Sequence, residues 1–157
     1  MNLTRNGVTL QVDDDLAWRL MMARLVGDET QCARPRAAAI GDTMRSLGLE
    51  VKGIYAGLTL HENAPYQLIL LPGDVEKTWE DAKAWAAEQG GVLPSRVDAL
   101  VLFQNLRDKF QREAYWTDAP YVDDEGSAWY QDFGNGGQDY TRKSAKLRAV
   151  AVRRIAI

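Results

Sequence analysis

The sequence contains one cysteine, Cys32, and one histidine, His61, among its 157 residues. A single cysteine excludes an intrachain disulfide, which is typical of a chain that folds in a reducing compartment or needs no crosslink. A single histidine without cysteine, aspartate or glutamate at ligand spacing gives little support to a zinc site or a general base. We therefore predict neither a metal site nor a cofactor.

Features of exported, membrane-inserted or nucleic-acid-binding proteins are also missing. The first fifteen residues, MNLTRNGVTLQVDDD, contain no apolar segment of the kind found in signal peptides. No apolar run is long enough to span a bilayer. A net charge of −3 gives no overall support for a nucleic-acid partner. These absences predict a protein that is made in the cytoplasm, as a virion component also would be, and that is not inserted into a membrane.

Residue combinations typical of enzymes are missing as well. No Ser-His-Asp or Cys-His arrangement is available around His61. The Gly134-Asn135-Gly136-Gly137 segment indicates a tight hairpin turn rather than a phosphate-binding loop, which requires a preceding strand and a following helix. Asp123 and Asp124 could act as an acid and base pair only inside a cleft. The sequence therefore predicts a protein that is not an enzyme.

What is present is an ordinary globular composition with an uneven distribution of charge. The chain is 46% hydrophobic and 26% charged, and its length suits one domain or one domain with an N-terminal extension. Every charged residue from Asp118 to Tyr140 is acidic, and every charged residue from Thr141 to Ile157 is basic. This polarity indicates either pairing across strands of a sheet or an electrostatic docking face.

The first fifty residues predict a hairpin followed by two helices. Asn6-Gly7 is a preferred two-residue hairpin turn within Asn2 to Val12, and Asp13 to Asp15 suit a helix N-terminus. The first helix, Leu16 to Val26, carries an apolar stripe of Trp18, Met21, Met22 and Leu25. The second helix begins at Pro35 and ends at Gly48, and its stripe is Ala37, Ile40, Met44 and Leu47. The first stripe suits core packing, a partner or a homo-oligomer contact equally.

The middle of the chain predicts a β-hairpin and two helices. Residues 53–71 alternate as two strands around a turn at residues 61–65. Helices begin at Thr78 and Ser95, each with an aspartate three residues later as a capping box, and Gly90-Gly91 ends the first of them. The second helix is apolar on most sides, so it is predicted to be packed on most sides beneath a sheet, through Val97, Leu100, Val101, Leu102, Phe103 and Leu106.

The remainder predicts strands. A short strand at Tyr115 to Thr117 precedes strands at Ser127 to Phe133, Gln138 to Arg142 and Leu147 to Ile155, the last one central or nearly central in its sheet. Three tryptophans are expected to anchor helices to the sheet: Trp79, Trp85 and Trp116. Three arginines are expected to pair with acids or to cover apolar surface with their stems: Arg148, Arg153 and Arg154.

Several segments together resemble one known family. GIYAGL, LILLPGD, TWEDAKAWAAEQGGVLPSR, AYWT, AWYQDFGNGGQ and KSAKLRAVAVRR, spread over Lys52 to Ile157, resemble the Lcl C-terminal domain family, which is common in bacterial surface proteins and in phage and prophage genomes. The resemblance implies an α+β, C-type-lectin-like fold in which two helices pack on a twisted antiparallel sheet. It also implies two regions: residues 1–50, an N-terminal helical extension, and residues 52–157, the C-type-lectin-like domain.

The chain departs from two functions of the wider fold. The Glu-Pro-Asn-like and Trp-Asn-Asp segments of calcium-dependent sugar-binding members are missing, and Asp123-Asp124-Glu125-Gly126 lacks the spaced oxygen ligands of a calcium loop. Formylglycine-generating enzymes depend on cysteine chemistry, whereas Cys32 lies outside the resembling region. Neither calcium-dependent sugar binding nor that enzyme activity is therefore predicted.

The resemblance implies a non-enzymatic phage or prophage protein, a binding or structural module associated with the virion, with a protein partner. Loops and aromatic residues near the C-terminus are expected to form its binding surface. Seven residues are predicted to reach solvent and contact the partner: Tyr121, Asp123, Asp124, Tyr130, Asn135, Gln138 and Tyr140. The alternative is an intracellular phage accessory protein that binds and inhibits a host defence protein, with acidic residues imitating nucleic acid.

Overall fold

The computed structural model describes residues 2–5, 8–11, 39–43 and 52–157. The chain divides into two compact units, Met1–Arg36 and Ala37–Ile157. The predicted helix from Leu16 to Val26, with its stripe, lies outside the described residues, and so do Asp13 to Asp15 and Cys32. No helix among the described residues has both the length and the apolar character needed to cross a membrane.

The first unit contains a two-stranded hairpin. Strand β1 (Asn2–Arg5) pairs antiparallel with β2 (Val8–Gln11). Arg5 lies opposite Val8, so the connection consists of Asn6 and Gly7 alone. The predicted hairpin and its position are confirmed.

The predicted second helix is wrong over the residues that are described. Ile40 and Gly41 form a turn in which Gly41 has a φ of +88°. The backbone then pairs with the next strand, since Gly41 N–H donates to the Tyr55 carbonyl and Tyr55 N–H donates to the Asp42 carbonyl, both at 2.9 Å. A glycine weakens helix propensity at this point, and pairing with a strand overrides the apolar periodicity. The predicted stripe residues Ala37, Met44 and Leu47 lie outside the described residues.

The second unit is α+β. Its sheets are a three-stranded one in the order β10-β4-β3 and a five-stranded one in the order β5-β9-β6-β7-β8. Its strands and helices, in chain order, are β3 (Ile54–His61), β4 (Ala64–Leu70), β5 (Val75–Lys77), α1 (Trp79–Glu88), α2 (Arg96–Leu106), a 3-10 turn (Arg107–Lys109), β6 (Ala114–Pro120), β7 (Ser127–Asp132), β8 (Gln138–Arg142), β9 (Leu147–Ala149) and β10 (Val152–Ala156). The resemblance implies an antiparallel sheet; the structure has two sheets, and the five-stranded one is mixed, because β6 and β9 pair in parallel with Tyr115 opposite Arg148.

Two hairpin turns of the second unit, β3–β4 and β7–β8, follow from their sequences. Glu62 and Asn63, with φ of 49° and 62°, connect β3 to β4, which confirms the predicted hairpin. Between β7 and β8, Gly136 has a φ of +84°, and a Cβ there would lie 2.7 Å from Cε1 of Phe103. The glycine therefore supplies both the left-handed conformation and the close approach to α2.

The helix starts show one confirmed capping box and one that does not form. At α2, the Ser95 side chain accepts from Asp98 N–H and the Asp98 carboxylate accepts from Ser95 N–H. At α1, the Thr78 hydroxyl instead donates to Asp81 at 2.9 Å, and the first helical amide, Trp79 N–H, donates to the Lys143 carbonyl. A carbonyl from the turn after β8 thus satisfies the first helical amide, and no side-chain cap forms. The predicted stop at Gly90 is confirmed, with a φ of +79°.

Two tryptophans fix the helical and sheet layers together. Trp79 and Trp116 are buried, and their indole N–H groups donate to the carbonyls of Thr117 at 2.8 Å and Lys77 at 3.0 Å. Trp85 is half-buried and packs against the same core. The predicted anchoring role of the three tryptophans is confirmed, with the largest burial at Trp116.

Helix α2 is packed on fewer sides than predicted. Ala99, Leu102 and Leu106 are buried, but Val97 and Leu100 remain 45% and 47% exposed. Periodicity identifies apolar residues, whereas burial also requires a neighbouring element, so apolar positions of a helix can stay about half exposed. The prediction of packing on most sides is therefore wrong for Val97 and Leu100.

The predicted last strand is two strands in different sheets. Residues 147–149 lie between β5 and β6, whereas residues 152–156 form an edge of the three-stranded sheet. From Ala149 to Val152 every residue is buried, so inward and outward positions do not alternate there. The prediction of a central position holds for β9 and fails for β10, because the chain changes sheets at Val150-Ala151.

Ion pairs join the last strands to distant acids. Arg154 binds the fully buried Asp98, and Arg148 binds both Asp74 at 3.1 Å and Glu113 at 2.6 Å. The predicted pairing of these two arginines with acids is confirmed, while Arg153 is exposed. Only Asp118, 3.7 Å from Arg154, comes from the acidic stretch. Most partners therefore come from elsewhere in the chain.

Candidate binding face

Three aromatic side chains form a compact group on the surface of the five-stranded sheet. Trp129 on β7 lies opposite Tyr140 on β8, and Tyr121 follows the end of β6. The rings of Tyr121 and Tyr140 stack 3.7 Å apart at an angle of 5°, while Trp129 meets them edge-on at 5.6 and 5.8 Å. We call Tyr121, Trp129 and Tyr140 the aromatic cluster. It belongs to neither of the two buried cores.

The aromatic cluster is braced by the first residue of α2. The Arg96 guanidinium lies 3.7 Å from the centre of the Trp129 ring, a cation–π contact. Arg96 Nε donates to Gln138 Oε1 at 2.9 Å, and Gln138 Nε2 donates to the Arg96 carbonyl at 2.8 Å and to Gln131 Oε1 at 3.0 Å. Gln131 is completely buried. The aromatic cluster is therefore held by a hydrogen-bond chain that reaches the interior.

Three of the seven predicted contact residues belong to this arrangement: Tyr121 and Tyr140 in the cluster, and Gln138 in the brace. Asp123 is exposed and close enough to Tyr121 to affect its ionisation. Val122, between them, is 90% exposed. Tyr140 itself is 43% exposed, so the outer side of the aromatic cluster is open to a partner.

The surroundings of the Tyr121 hydroxyl raise its pKa. A hydrogen bond with the Tyr140 side chain, then desolvation and the nearby Asp123, raise the pKa of Tyr121 from 10.0 to about 12. A pKa raised in the folded state means that the stability contributed by neutral Tyr121 is complete below pH 10 and is lost as the pH rises through 12.

Tyr140→Phe is expected to move the pKa of Tyr121 back toward 10.0, because it removes the largest cause of the shift. NMR of protein labelled at tyrosine Cζ follows each tyrosine separately during the titration. Tyr130→Phe is the matched control, because Tyr130 lies on the other face of β7 and should leave Tyr121 unchanged. An unaltered Tyr121 midpoint in Tyr140→Phe would contradict the hydrogen bond between the Tyr121 and Tyr140 side chains.

The Asp124 side chain stabilises the loop between β6 and β7, which carries Tyr121. Its carboxylate accepts from Ser127 Oγ at 2.6 Å and from Gly126 N–H at 2.9 Å, and these hydrogen bonds lower the pKa of Asp124. Tyr121 N–H donates to the Ser127 carbonyl, which closes the loop. Asp124 is exposed, but its acceptor atoms are already engaged within the loop.

Asn135 and Tyr130 lie apart from the aromatic cluster. Asn135 is exposed in the β7–β8 turn, where its Oδ1 accepts from Gly137 N–H at 2.7 Å. Tyr130 is half-buried on the opposite face of β7, beside Trp116 and against the core. Desolvation, then Asp139 and Asp132, raise the pKa of Tyr130. The structure thus places the seven predicted residues on two faces and a turn rather than on one surface.

Two members of the arrangement, Trp129 and Arg96, were not among the seven. The register of the β7–β8 hairpin pairs Trp129 with Tyr140, so a correct register would have indicated the tryptophan from sequence. Arg96 lies thirty or more positions before its partners. No local pattern marks it, because the contact depends on how α2 packs against the sheet.

Chemistry elsewhere in the described residues is limited. Within residues 2–5, 8–11, 39–43 and 52–157, no group of three or more His, Cys, Asp or Glu side chains could hold a metal ion. An apolar cleft of about 330 Å³ is lined by Ile54, Leu70, Phe110 and Val150, with Asp74 beside it. Asp74 accepts from the Tyr115 hydroxyl at 2.7 Å and from Arg148 at 3.1 Å, so both of its carboxylate oxygens are already hydrogen-bonded.

Comparison with known proteins adds no assignment to these observations. No protein-family model matches the chain, and no curated protein matches it. The resemblance of Lys52 to Ile157 to the Lcl C-terminal domain family stays a prediction.

Proposed function

We propose that the protein is a non-enzymatic binding module that contacts a protein partner through the aromatic cluster of Tyr121, Trp129 and Tyr140. The observation that carries this proposal is the cluster itself, three large rings held in fixed mutual geometry outside the cores while Tyr140 stays 43% exposed. Tyrosine and tryptophan give large contact areas at a small cost in conformational entropy, which is why binding surfaces favour them.

Preorganisation supports binding over a purely structural role. Arg96 and Gln138 fix the cluster from the side of α2, and Asp124 fixes the loop that carries Tyr121. A surface held in this way loses little further freedom when a partner arrives. Exposed Asp123 next to Tyr121 adds a negative charge at the rim, where charges mainly set specificity and association rate.

The fold and the origin form a second part of the proposal. A C-type-lectin-like fold is supported by the pairing of β4 with the last strand, β10, and by two helices combined with a second sheet. A phage or prophage protein associated with the virion is supported by the sequence resemblance over Lys52 to Ile157 alone. The partner is then a virion protein or a host surface protein.

The test compares tagged full-length protein with Tyr140→Ala and with Val122→Ala in cells that produce the phage. Val122 is the matched control, because it is 90% exposed in the neighbouring loop and makes no contribution to the aromatic cluster. Tyr140→Ala is expected to weaken binding of the recovered partner at least about tenfold, as at an interface hot spot. Equal partner binding by the wild type and a folded Tyr140→Ala variant would contradict the proposal.

Mass spectrometry of purified particles separates the two biological settings. Several copies of the protein per particle are expected if it is a virion module. Its absence from particles, together with recovery of one host protein through the same face, would replace the virion assignment with the inhibitor of a host defence protein.

A further inference from the structure

The described residues cover only part of the outer edge of the three-stranded sheet. Strand β3 pairs with β4 on one side. On its other side, the described residues 39–43 pair with Ile54 and Tyr55, Ile40 Cδ1 lies 3.9 Å from where a Cβ of Gly57 would be, and Asn105 Nδ2 donates to the Ala56 carbonyl at 2.7 Å. From Leu58 onward, no described residue pairs with this edge.

The direction of the free backbone groups follows from the hairpin turn. His61 and Ala64 flank a two-residue turn and therefore exchange hydrogen bonds with each other. Alternation then directs the backbone groups of Thr59 toward β4 and those of Leu58 and Leu60 outward. Both leucine side chains stand on one face and are 59% exposed.

Within the part of the chain that the structure describes, this edge lacks the usual protection against strand pairing. Natural edges carry charges, prolines or covering elements, whereas residues 54–60, IYAGLTL, contain neither a charge nor a proline. A segment with outward N–H and C=O groups and two exposed leucines is a template for another strand.

We propose that β3 pairs antiparallel with β3 of a second copy of this chain, forming a symmetric dimer centred on Thr59. This register places Leu58 opposite Leu60 of the second copy, and the reverse, so that both pairs have outward backbone groups and exchange two hydrogen bonds each. The leucines form two apolar cross-strand pairs. The strand is therefore complementary to itself, which a two-fold interface requires.

Neighbouring registers are less suitable. A centre at Leu58 would place Leu60 opposite Ala56 of the second copy, whose carbonyl already accepts from Asn105. A centre at Leu60 would place Leu58 opposite Glu62 of the second copy, which lies in the turn with a φ of 49°. The structure thus selects the Thr59 register.

Helix α2 lies next to the strand that would form the interface. Its Asp98 accepts from Thr59 and its Asn105 donates to the Ala56 carbonyl, so the helix runs along β3. A two-fold axis perpendicular to the joined sheet places the two copies of α2 on the same face.

Cysteine crosslinking tests the register directly. In the full chain carrying Cys32→Ser, the double variant Leu58→Cys/Leu60→Cys is expected to form a disulfide-linked dimer under mild oxidation, since the paired positions face each other. Each single variant is the matched control. In the proposed register identical residues are diagonal neighbours, about 7–8 Å apart, too far for a disulfide. The proposed register would be overturned if the double variant stayed monomeric under oxidation, or if the single variants formed as much crosslinked dimer as the double variant.

Sedimentation and hydrogen exchange test the dimer without new cysteines. The wild type is expected to show a concentration-dependent dimer, with amide protection at Leu58 and Leu60 rising together with association. Leu60→Lys should weaken the dimer at least about tenfold. Unchanged association of a folded Leu60→Lys variant, or a wild type that stays monomeric, would overturn the proposal.

Discussion

Replacing Asp98 with alanine is expected to lower the free energy of unfolding by about 3–5 kcal/mol. Asp98 is completely buried and accepts hydrogen bonds from Thr59 Oγ1 at 2.6 Å, Ser95 N–H at 2.9 Å and Arg154 Nε at 2.9 Å. The loss is large because the Arg154 side chain, only 12% exposed, keeps its charge after its main partner is gone. Urea denaturation followed by tryptophan fluorescence measures the difference.

Asp81→Ala is the matched control for Asp98→Ala. Asp81 occupies the same position in the first turn of α1, but it is exposed and its hydrogen bond is with Thr78. Its replacement is expected to cost less than about 1 kcal/mol. If Asp98→Ala cost no more than Asp81→Ala, the buried network would not stabilise the packing of α2.

A double substitution distinguishes the ion pair from the other contacts of Asp98. Asp98→Asn combined with Arg154→Met removes both charges, so the double variant is expected to be more stable than the sum of the single losses predicts. Strict additivity of the two losses would show that Arg154 and Asp98 do not act as a pair.

Trp116→Ala is expected to cost a similar amount, about 3–5 kcal/mol. Trp116 has no exposed surface, and its indole N–H donates to the Lys77 carbonyl at 3.0 Å. The substitution leaves a large cavity between α1 and the five-stranded sheet and removes the partner of that carbonyl. A loss of about 2–4 °C in Tm per kcal/mol is expected for a domain of this size, measured by differential scanning calorimetry.

Trp129→Ala is the control for Trp116→Ala, because it compares the loss of a surface tryptophan with the loss of a core tryptophan. Trp129 is half-buried in the aromatic cluster, where its contacts are two tyrosine edges and Arg96. Its loss should cost about 0.5–1.5 kcal/mol per pair rather than a cavity in the core. The same variant should impair partner binding, whereas Trp116→Ala should act through stability. Equal destabilisation by the two substitutions would contradict the assignment of Trp129 to a surface.

Local chemistry predicted much of the second unit. Glu62-Asn63 in the β3–β4 turn, the Ser95–Asp98 capping box and the stop at Gly90 each depend on a few neighbouring residues. Such features are readable because the responsible atoms are close in sequence. The capping box predicted at Thr78 does not form, because the Thr78 hydroxyl donates to the Asp81 carboxylate instead of accepting from an amide. The first helical amide, Trp79 N–H, donates to the carbonyl of Lys143, far along the chain, and no local pattern indicates this contact.

The candidate site was only partly predictable. The preference of binding surfaces for such residues identifies Tyr121, Gln138 and Tyr140. The same preference wrongly includes Tyr130, which lies on the other face of β7. Composition alone does not tell which face a strand residue occupies, because that depends on the register. The contact of Arg96 with Trp129 depends on the placement of α2. The exposure of Val97 and Leu100 likewise depends on which neighbours the helix has, which periodicity does not contain.

The pairing of β4 with β10 sets an order of events during synthesis on the ribosome. Leu70 pairs with Val152, and Asp98 binds Arg154, so these partners emerge about half and about a third of the chain apart. While the intervening residues are still being made, β4 lacks its partner strand β10, and the Asp98 carboxylate lacks its partner Arg154. The second unit therefore completes its fold only after release of its last strand, and the nascent hairpin is the species that chaperones would meet.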